Sequence, residues 1–286
     1  MSYQEVLGQQ AIAISVSDSP DMTVLGLDDE HLRDAMTEIA RHLLALGARL
    51  VYGGDLRQYG FSELLFELVA RHRRDADEGD HRNGISNYLA WPIHILTSIP
   101  DLEAKIADLK GLADLVLLRL DGSRLSMDER RALTVSTPNE SEWSEGLTAM
   151  RQTMLVETSA RIVLGGRLEG YKGAMPGIAE EALLSIHAKQ PLYILGGFGG
   201  CARDIGETLG LISKPNTQRS EWSGRMDFFG YSAIDLNNGL TQEENMILAH
   251  TSHVDQAVAL TLRGLSNVLG EKSKKLSLND KAHHIP

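Results

Sequence analysis

The chain of 286 residues has a single cysteine, Cys201. No disulfide can form within it, and a reducing compartment is its natural setting. Basic residues are also short, 28 Lys and Arg against 39 Asp and Glu, for a formal net charge of −11. Nonspecific nucleic-acid binding needs a basic face, so no nucleic-acid partner is expected; a small basic pocket for one nucleotide stays open. No segment is long and apolar enough to span a bilayer, and the first residues lack a basic run leading into an apolar one. The expected location is therefore cytoplasmic, with no membrane partner. Internal repeats, low-complexity tracts and linker-like segments are missing too. Hydrophobic residues make up 42% and charged residues 23%, which is ordinary for a globular protein and argues against global disorder. One domain over residues 1–270 is expected, followed by a polar tail at 271–286.

Short apolar runs alternate with helical periodicity through most of the chain. Ala11 to Ser17 reads as a strand. Asp28 or Asp29 caps the next helix, whose Leu32, Met36, Ile39 and Leu43 share one face, and Gly47 ends it. Ala48 to Tyr52 reads as a strand, followed by a helix with Phe61, Leu64, Leu65 and Leu68 on one side. Arg71 to Tyr88 is polar and reads as a surface loop. Pro92 to Leu96 reads as a strand, Asp101 to Lys110 as a short helix, and Asp114 to Leu120 as a central strand. The stretch from there to Pro138 is mostly polar. Asn139 and Glu142 form a capping box for a helix whose stripe of Trp143, Leu147, Met150 and Met154 reads as core. Ala160 to Leu164 and Leu192 to Leu195 read as strands, each followed by a glycine-rich loop and a helix. Thr241 and Glu244 cap a long last helix with Val254, Val258, Leu262, Leu265 and Leu269 on its apolar side. That side has two possible partners, its own domain or a second subunit. The alternation predicts an α/β, Rossmann-like fold, a mostly parallel sheet flanked by helices.

Candidate binding residues cluster where strands end: Ser15, Ser17 and Asp18; Gly53, Gly54, Asp55 and Arg57; Gly165, Gly166, Arg167 and Lys172; Gly177 and Glu180; and Gly196, Gly197 and Gly199. Ligands of open parallel sheets sit beyond the carboxyl ends of the strands. Glycines there let backbone N–H groups approach a phosphate, and a helix N-terminus adds partial positive charge. Arg167 and Lys172 can neutralise phosphate oxygens. Each feature has a plainer reading: a tight turn for the glycines, solvated cations for Arg167 and Lys172, and helix N-terminus stabilisation for Glu180 and Glu181. The P-loop pattern is absent, and so is the dinucleotide fingerprint at the first strand–helix turn, where Ser17 to Pro20 stand. This disfavours a P-loop ATPase and an ordinary NAD-dependent dehydrogenase. His250 and His253 lack the glutamate-flanked histidine pattern of zinc proteases, so no metal site is expected. Cys201 reads as a buried structural thiol. Ser17, Gly53, Gly166 and Gly197 are expected near one crevice.

Several phrases resemble a known superfamily. The YGGD of Tyr52 to Asp55, with Gly60 downstream, is similar to the glycine-rich element of the Lonely Guy nucleotide phosphoribohydrolases, although Asp55 stands where that element continues with glycine. GAMPGIAEEA, Gly173 to Ala182, is similar to their PGGxGTxxE element; Gly177 matches the glycine before its threonine, Ile178 the threonine, and Glu181 the glutamate implicated in glycosidic cleavage. Met150, Arg151 and Met154 are loosely similar to an RKxxM segment, with Met150 at its arginine and Arg151 at its lysine. GARLVYGGDLRQYGF, GGRLEGYKGAMPGIAEEAL and PLYILGGFGGCARD resemble more closely the prokaryotic SLOG branch related to the N-terminal region of melastatin-type TRP channels. That resemblance covers residues 11–204. It implies a SLOG, Lonely Guy-like fold that binds ADP-ribose or a related NAD-derived nucleotide, often in bacterial conflict systems. It also implies a homodimer and a separate effector protein, and no tightly bound cofactor. The alternative it leaves open is a nucleotide N-glycoside hydrolase, with Glu181 and Arg151 as catalytic residues or Arg161 substituting in space. A purely structural assembly role is the third class.

Overall fold

The structure, a computed structural model, describes residues 5–8, 10–19, 21–75, 82, 84–213 and 221–282. The chain begins with β1 (Ala11–Ser17), α1 (Asp29–Ala45), β2 (Arg49–Gly53) and α2 (Phe61–Asp75). Next come β3 (Ile85–Leu89), α3 (Trp91–His94), α4 (Ile99–Asp108), β4 (Ala113–Leu118), β5 (Arg124–Leu125) and α5 (Met127–Ala132). The remainder is α6 (Glu140–Glu157), β6 (Ala160–Gly165), α7 (Gly177–His187), β7 (Leu192–Leu195), α8 (Gly200–Thr208), α9 (Gln242–His250) and α10 (Val254–Ala282). The starts of α1 and α6 follow local chemistry. Asp28 and Asn139 each accept the third helical N–H, and His31 and Glu142 reach back to the cap, which satisfies donors that have no helical partner.

The seven strands lie in the order β5-β4-β3-β2-β1-β6-β7. Neighbours pair in parallel except β4 with β5. From β1 the chain steps outward to one edge, then crosses back to lay β6 on the other side of β1. That reversal makes a topological switch point between β1 and β6, where Ser17 pairs with Gly165 and where a doubly wound sheet opens a crevice.

Strand periodicity sorts the two faces. Ile12, Ile14, Val16, Leu50, Tyr52, Ile162 and Leu164 pack with Leu32, Met36 and Ile39 of α1 and with Val258, Leu265 and Leu269 of α10. On the opposite face Ala13, Val51 and Tyr88 pack with Met150 and Met154 of α6, while Val163 and Ile194 meet Ile178 and Ala182 of α7 and Cys201 and Ile205 of α8. The same alternation places Ser15 and Arg161 on the face covered by α6 and α7. The apolar side of the last helix thus packs against α1 of its own chain.

Several elements differ from their sequence reading. Within 71–88, α2 continues to Asp75 and β3 starts at Ile85; residues 76–81 and 83 of that expected loop lie outside the described residues. All of β3 is buried, and its polar Asn87 accepts from Ser62 at 3.0 Å. The expected strand Pro92 to Leu96 contains α3 instead, with Pro92 in its first turn, where a missing N–H costs nothing. Arg130 holds this turn by donating to the carbonyls of His94, Ile95 and Thr97 at 3.0, 3.1 and 3.2 Å. β4 is next to the short edge strand rather than central. The polar stretch after it contains β5 and α5, and Thr241 caps the short α9 rather than the last helix.

The second glycine cluster has a packing role. A Cβ on Gly197 would come within 1.9 Å of the Thr251 carbonyl oxygen, a clash with backbone that no rotamer relieves. Gly197→Ala is expected to lower unfolding free energy by about 3 kcal/mol. Gly170→Ala, at φ +65° with nothing within 4 Å, is expected to cost only about 1 kcal/mol through backbone strain. Urea denaturation of the two variants checks the difference; equal costs would contradict this packing.

Candidate functional site

A cavity of about 210 Å³ opens at the carboxyl ends of β1 and β2 and is bounded by the start of α7. Its polar lining comes from Ser15, Ser17, Asp55, Arg57, Arg151 and Glu181, with the backbone of Gly53, Gly54 and Gly177. Phe61, Ile93, Leu147, Met150 and Ile178 supply apolar surface. A face of this kind accepts a ring system, and polar groups at one side fix its orientation.

A buried ionic network lies beneath it, between the sheet and helices α6 and α7. Arg161 of β6 is 1% exposed. One of its terminal nitrogens donates to the Ser15 Oγ at 2.7 Å and lies 3.0 Å from a Glu181 carboxylate oxygen. The other Glu181 oxygen is 3.8 Å from Nε of Arg151, which is 8% exposed. Arg151 also pairs with Glu180, which accepts from the Thr148 hydroxyl. Burial pushes the Arg161 guanidinium below its ordinary value, Glu181 pulls it back up, and Arg151 adds a smaller downward push. The nearby Tyr52 phenol is lifted well above its usual range, first by burial and then by the Asp55 and Glu181 charges. It stays a neutral donor to the Val16 carbonyl at 3.2 Å.

The glycines here make room for side chains. A Cβ on Gly177 would meet the Arg151 guanidinium at 2.6 Å, and one on Gly173 would meet it at 3.3 Å. Arg151 therefore crosses the first turn of α7, a helix that no side chain caps. Gly53 has a packing role as well, since its Cβ would lie 2.8 Å from the Met150 and Met154 side chains.

Of the sequence candidates, Ser15, Ser17, Gly53, Gly54, Asp55, Arg57, Arg151, Gly177 and Glu181 come together in the cavity lining. Glu180 stands behind Arg151. Asp18 and Arg167 form an exposed ion pair. Lys172 is stacked over the Trp143 ring at 3.5 Å from its centroid, away from that lining. Gly165 and Gly166 pack against Ser17 and against Ile178 and Cys201, and the Gly166 carbonyl accepts from the Cys201 N–H at 2.9 Å. Gly196 and Gly197 pack on Ala249 and Thr251, and Gly199 on Ser19 and Asp21. The single-crevice expectation thus holds for Ser17 and Gly53, whereas Gly166 and Gly197 occupy packed turns beside it. Asp21, in the loop after β1, is tied to the second glycine cluster by accepting from the Gly200 N–H at 2.7 Å. Among the described residues no three His, Cys, Asp or Glu side chains gather as a metal site would require. No helix among them is long and apolar enough to cross a membrane.

Sequence put Arg161 forward only as a substitute catalytic cation, quoted Tyr52, Met150 and Ile178 only within motifs, and passed over Phe61, Ile93 and Leu147 as lining. For Arg161 a signal existed: one cation inside the apolar run of β6 must either face solvent or find a buried partner. The apolar residues carry no such mark, because in sequence Phe61, Leu147 and Met150 are indistinguishable from core.

This fold and crevice define a Rossmann-like α/β protein with a polar site at the carboxyl edge of its sheet. The chain belongs to the SLOG cluster2 family, whose model matches residues 6–273. No curated protein matches it.

Two expectations follow from this geometry. Arg161→Met leaves the Glu181 carboxylate with only Arg151 and is expected to cost about 3–5 kcal/mol. Adding Glu181→Gln should cost less than the sum of the single changes by about 1–3 kcal/mol. A double-mutant cycle by chemical denaturation measures this coupling, and additive costs would show that the pair does not interact. Burial holds the Cys201 thiol far above its ordinary value, which removes the reactive thiolate. Iodoacetamide at pH 8 should leave folded protein unlabelled and alkylate it fully in denaturant. Labelling of the native protein at the rate of a free cysteine would contradict the buried placement.

Proposed function

We propose that the crevice at the ends of β1 and β2 binds a nucleotide-derived ligand, ADP-ribose or a close NAD-related molecule, and that the protein senses this ligand rather than consuming it. The observation that carries the reading is the convergence of Arg151, Glu181 and the uncapped start of α7 on a cavity with an apolar side. A carboxylate accepts ribose hydroxyls, a helix N-terminus and a guanidinium favour phosphate oxygens, and the apolar residues suit a base.

Nucleotide N-glycoside hydrolysis is the second reading. It is favoured by the proximity of Glu181 to Arg151 and Arg161. Cleavage passes through an oxocarbenium-like centre that needs uncompensated negative charge. Here two guanidiniums share the charge of Glu181, which weakens its stabilisation of that centre and supports binding over cutting. A homodimer, a separate effector protein, a bacterial conflict setting and a cytoplasmic location are parts of the proposal that rest on the resemblance and composition. Packing of α10 on α1 gives the dimer no added support.

Titration calorimetry with ADP-ribose, NAD and AMP, paired with chromatography for released base, tests this reading. Saturable binding of an NAD-derived nucleotide without base release is expected, with Glu181→Gln reducing affinity about tenfold. Rapid base release that disappears in Glu181→Gln would replace the sensor with a hydrolase. Absence of binding by every nucleotide would remove both readings.

A further inference from the structure

We infer that the crevice selects its ligand by charge density, with Asp55 excluding terminal phosphate monoesters and admitting nucleotide derivatives in which every phosphate is substituted twice and carries a single charge. This deepens the ligand-binding reading above and rests on it.

The basis is the pairing of cations in and around the cavity. Arg57 Nε lies 2.6 Å from an Asp55 carboxylate oxygen. Arg151 meets Glu180 and Glu181, Arg161 meets Glu181 at 3.0 Å, and Arg167 meets Asp18. Four guanidiniums therefore face four carboxylates, and these paired charges cancel before any ligand arrives; Arg33, outside the lining, lies over the Phe61 ring and donates to the Tyr59 carbonyl. A phosphate monoester brings about −1.5 to −2 at pH 7, whereas a phosphate substituted twice, by two esters or by an ester and an anhydride, brings about −1. Neither Arg57 nor Arg151, the cations of the lining, has spare charge to offset a dianion. Diphosphate diesters such as ADP-ribose spread their charge over two groups and ask less of each contact.

Asp55 is the residue that sets this balance where phosphate would approach the Gly53–Gly54 backbone. Its carboxylate is fixed by the chain itself, because one oxygen also accepts the Arg57 N–H at 3.2 Å. It stands where the resembling glycine-rich element continues with glycine, a residue that would leave Arg57 unpaired. The Tyr52 phenol is lifted first by burial, and among the charges around it Asp55 outweighs Arg57, with Glu181 and Asp18 pushing the same way.

The test compares ADP-ribose with AMP by calorimetry at low salt, in wild-type protein and in Asp55→Asn. Asparagine keeps the oxygen that accepts the Arg57 N–H and removes the charge. AMP affinity should rise on the order of tenfold and ADP-ribose affinity by less than about threefold. The shift in their ratio should shrink at high salt. Arg57→Gln provides a second reading: by leaving Asp55 uncompensated, it should weaken AMP about tenfold more than ADP-ribose. ADP-ribose binding with an unchanged ratio in both variants would overturn the charge-density inference alone. Wild-type preference for AMP over ADP-ribose would also overturn it while leaving a nucleotide site in place. Failure of every nucleotide to bind wild type and variants would overturn the site reading itself.

Discussion

A guanidinium with almost no access to water is the constraint around which this crevice is arranged. Arg161 belongs to an otherwise apolar strand, and its direction is set by strand alternation, which turns it toward α6 and α7. Desolvating an arginine costs several kcal/mol unless a carboxylate and further acceptors surround it. Ser15 from β1 and Glu181 from α7 meet that need. The requirement fixes α7 against the switch point between β1 and β6. It also brings Glu181 and the neighbouring Glu180 within reach of Arg151 on α6. Arg151 in turn needs Gly173 and Gly177 free of side chains. One buried charge thus accounts for the placement of two helices, for Gly173 in the loop before α7 and for Gly177 at that helix's first position.

The same arrangement limits the chemistry. A carboxylate shared by two guanidiniums accepts hydrogen bonds well but offers little net charge to a developing cation. An arginine already engaged by two carboxylates gives directional donors more readily than it gives excess positive charge. In the proposed site, shape, hydrogen bonding and apolar contact with Phe61, Leu147 and Met150 would therefore carry more of the recognition than net electrostatic attraction. That balance suits a chain with a net charge of −11, which has no long-range field to gather anionic ligands.

Much of the fold was legible because its signals are local. The caps at Asp28 and Asn139, the helical stripe of α1 and the apolar runs of β1, β2, β6 and β7 depend on neighbours a few residues away. The misread elements depend on distant partners. Ser86 and Asn87 interrupt the apolar pattern of β3, yet both are buried, and the Asn87 carbonyl oxygen accepts from Ser62 of α2. The apolar segment at Pro92 is turned into a helix held by Arg130, a residue 36 positions beyond His94. Glycine after a strand was an ambiguous signal for the same reason. Gly53 and Gly54 both border the cavity and make room for packed side chains, whereas Gly197 serves only the approach of Thr251. Sequence pointed to the edge of the sheet where the cavity lies, but not to which glycines face it.

The most direct test is a crystal structure of the protein grown with ADP-ribose. Ligand density is expected at the ends of β1 and β2, in contact with Arg151, the start of α7 and the Gly53–Gly54 backbone. Its base should lie on the side of Phe61, Leu147 and Met150. Density only at the opposite end of the sheet, in the groove bordered by Gln10, Gln190 and Leu269, would contradict the account.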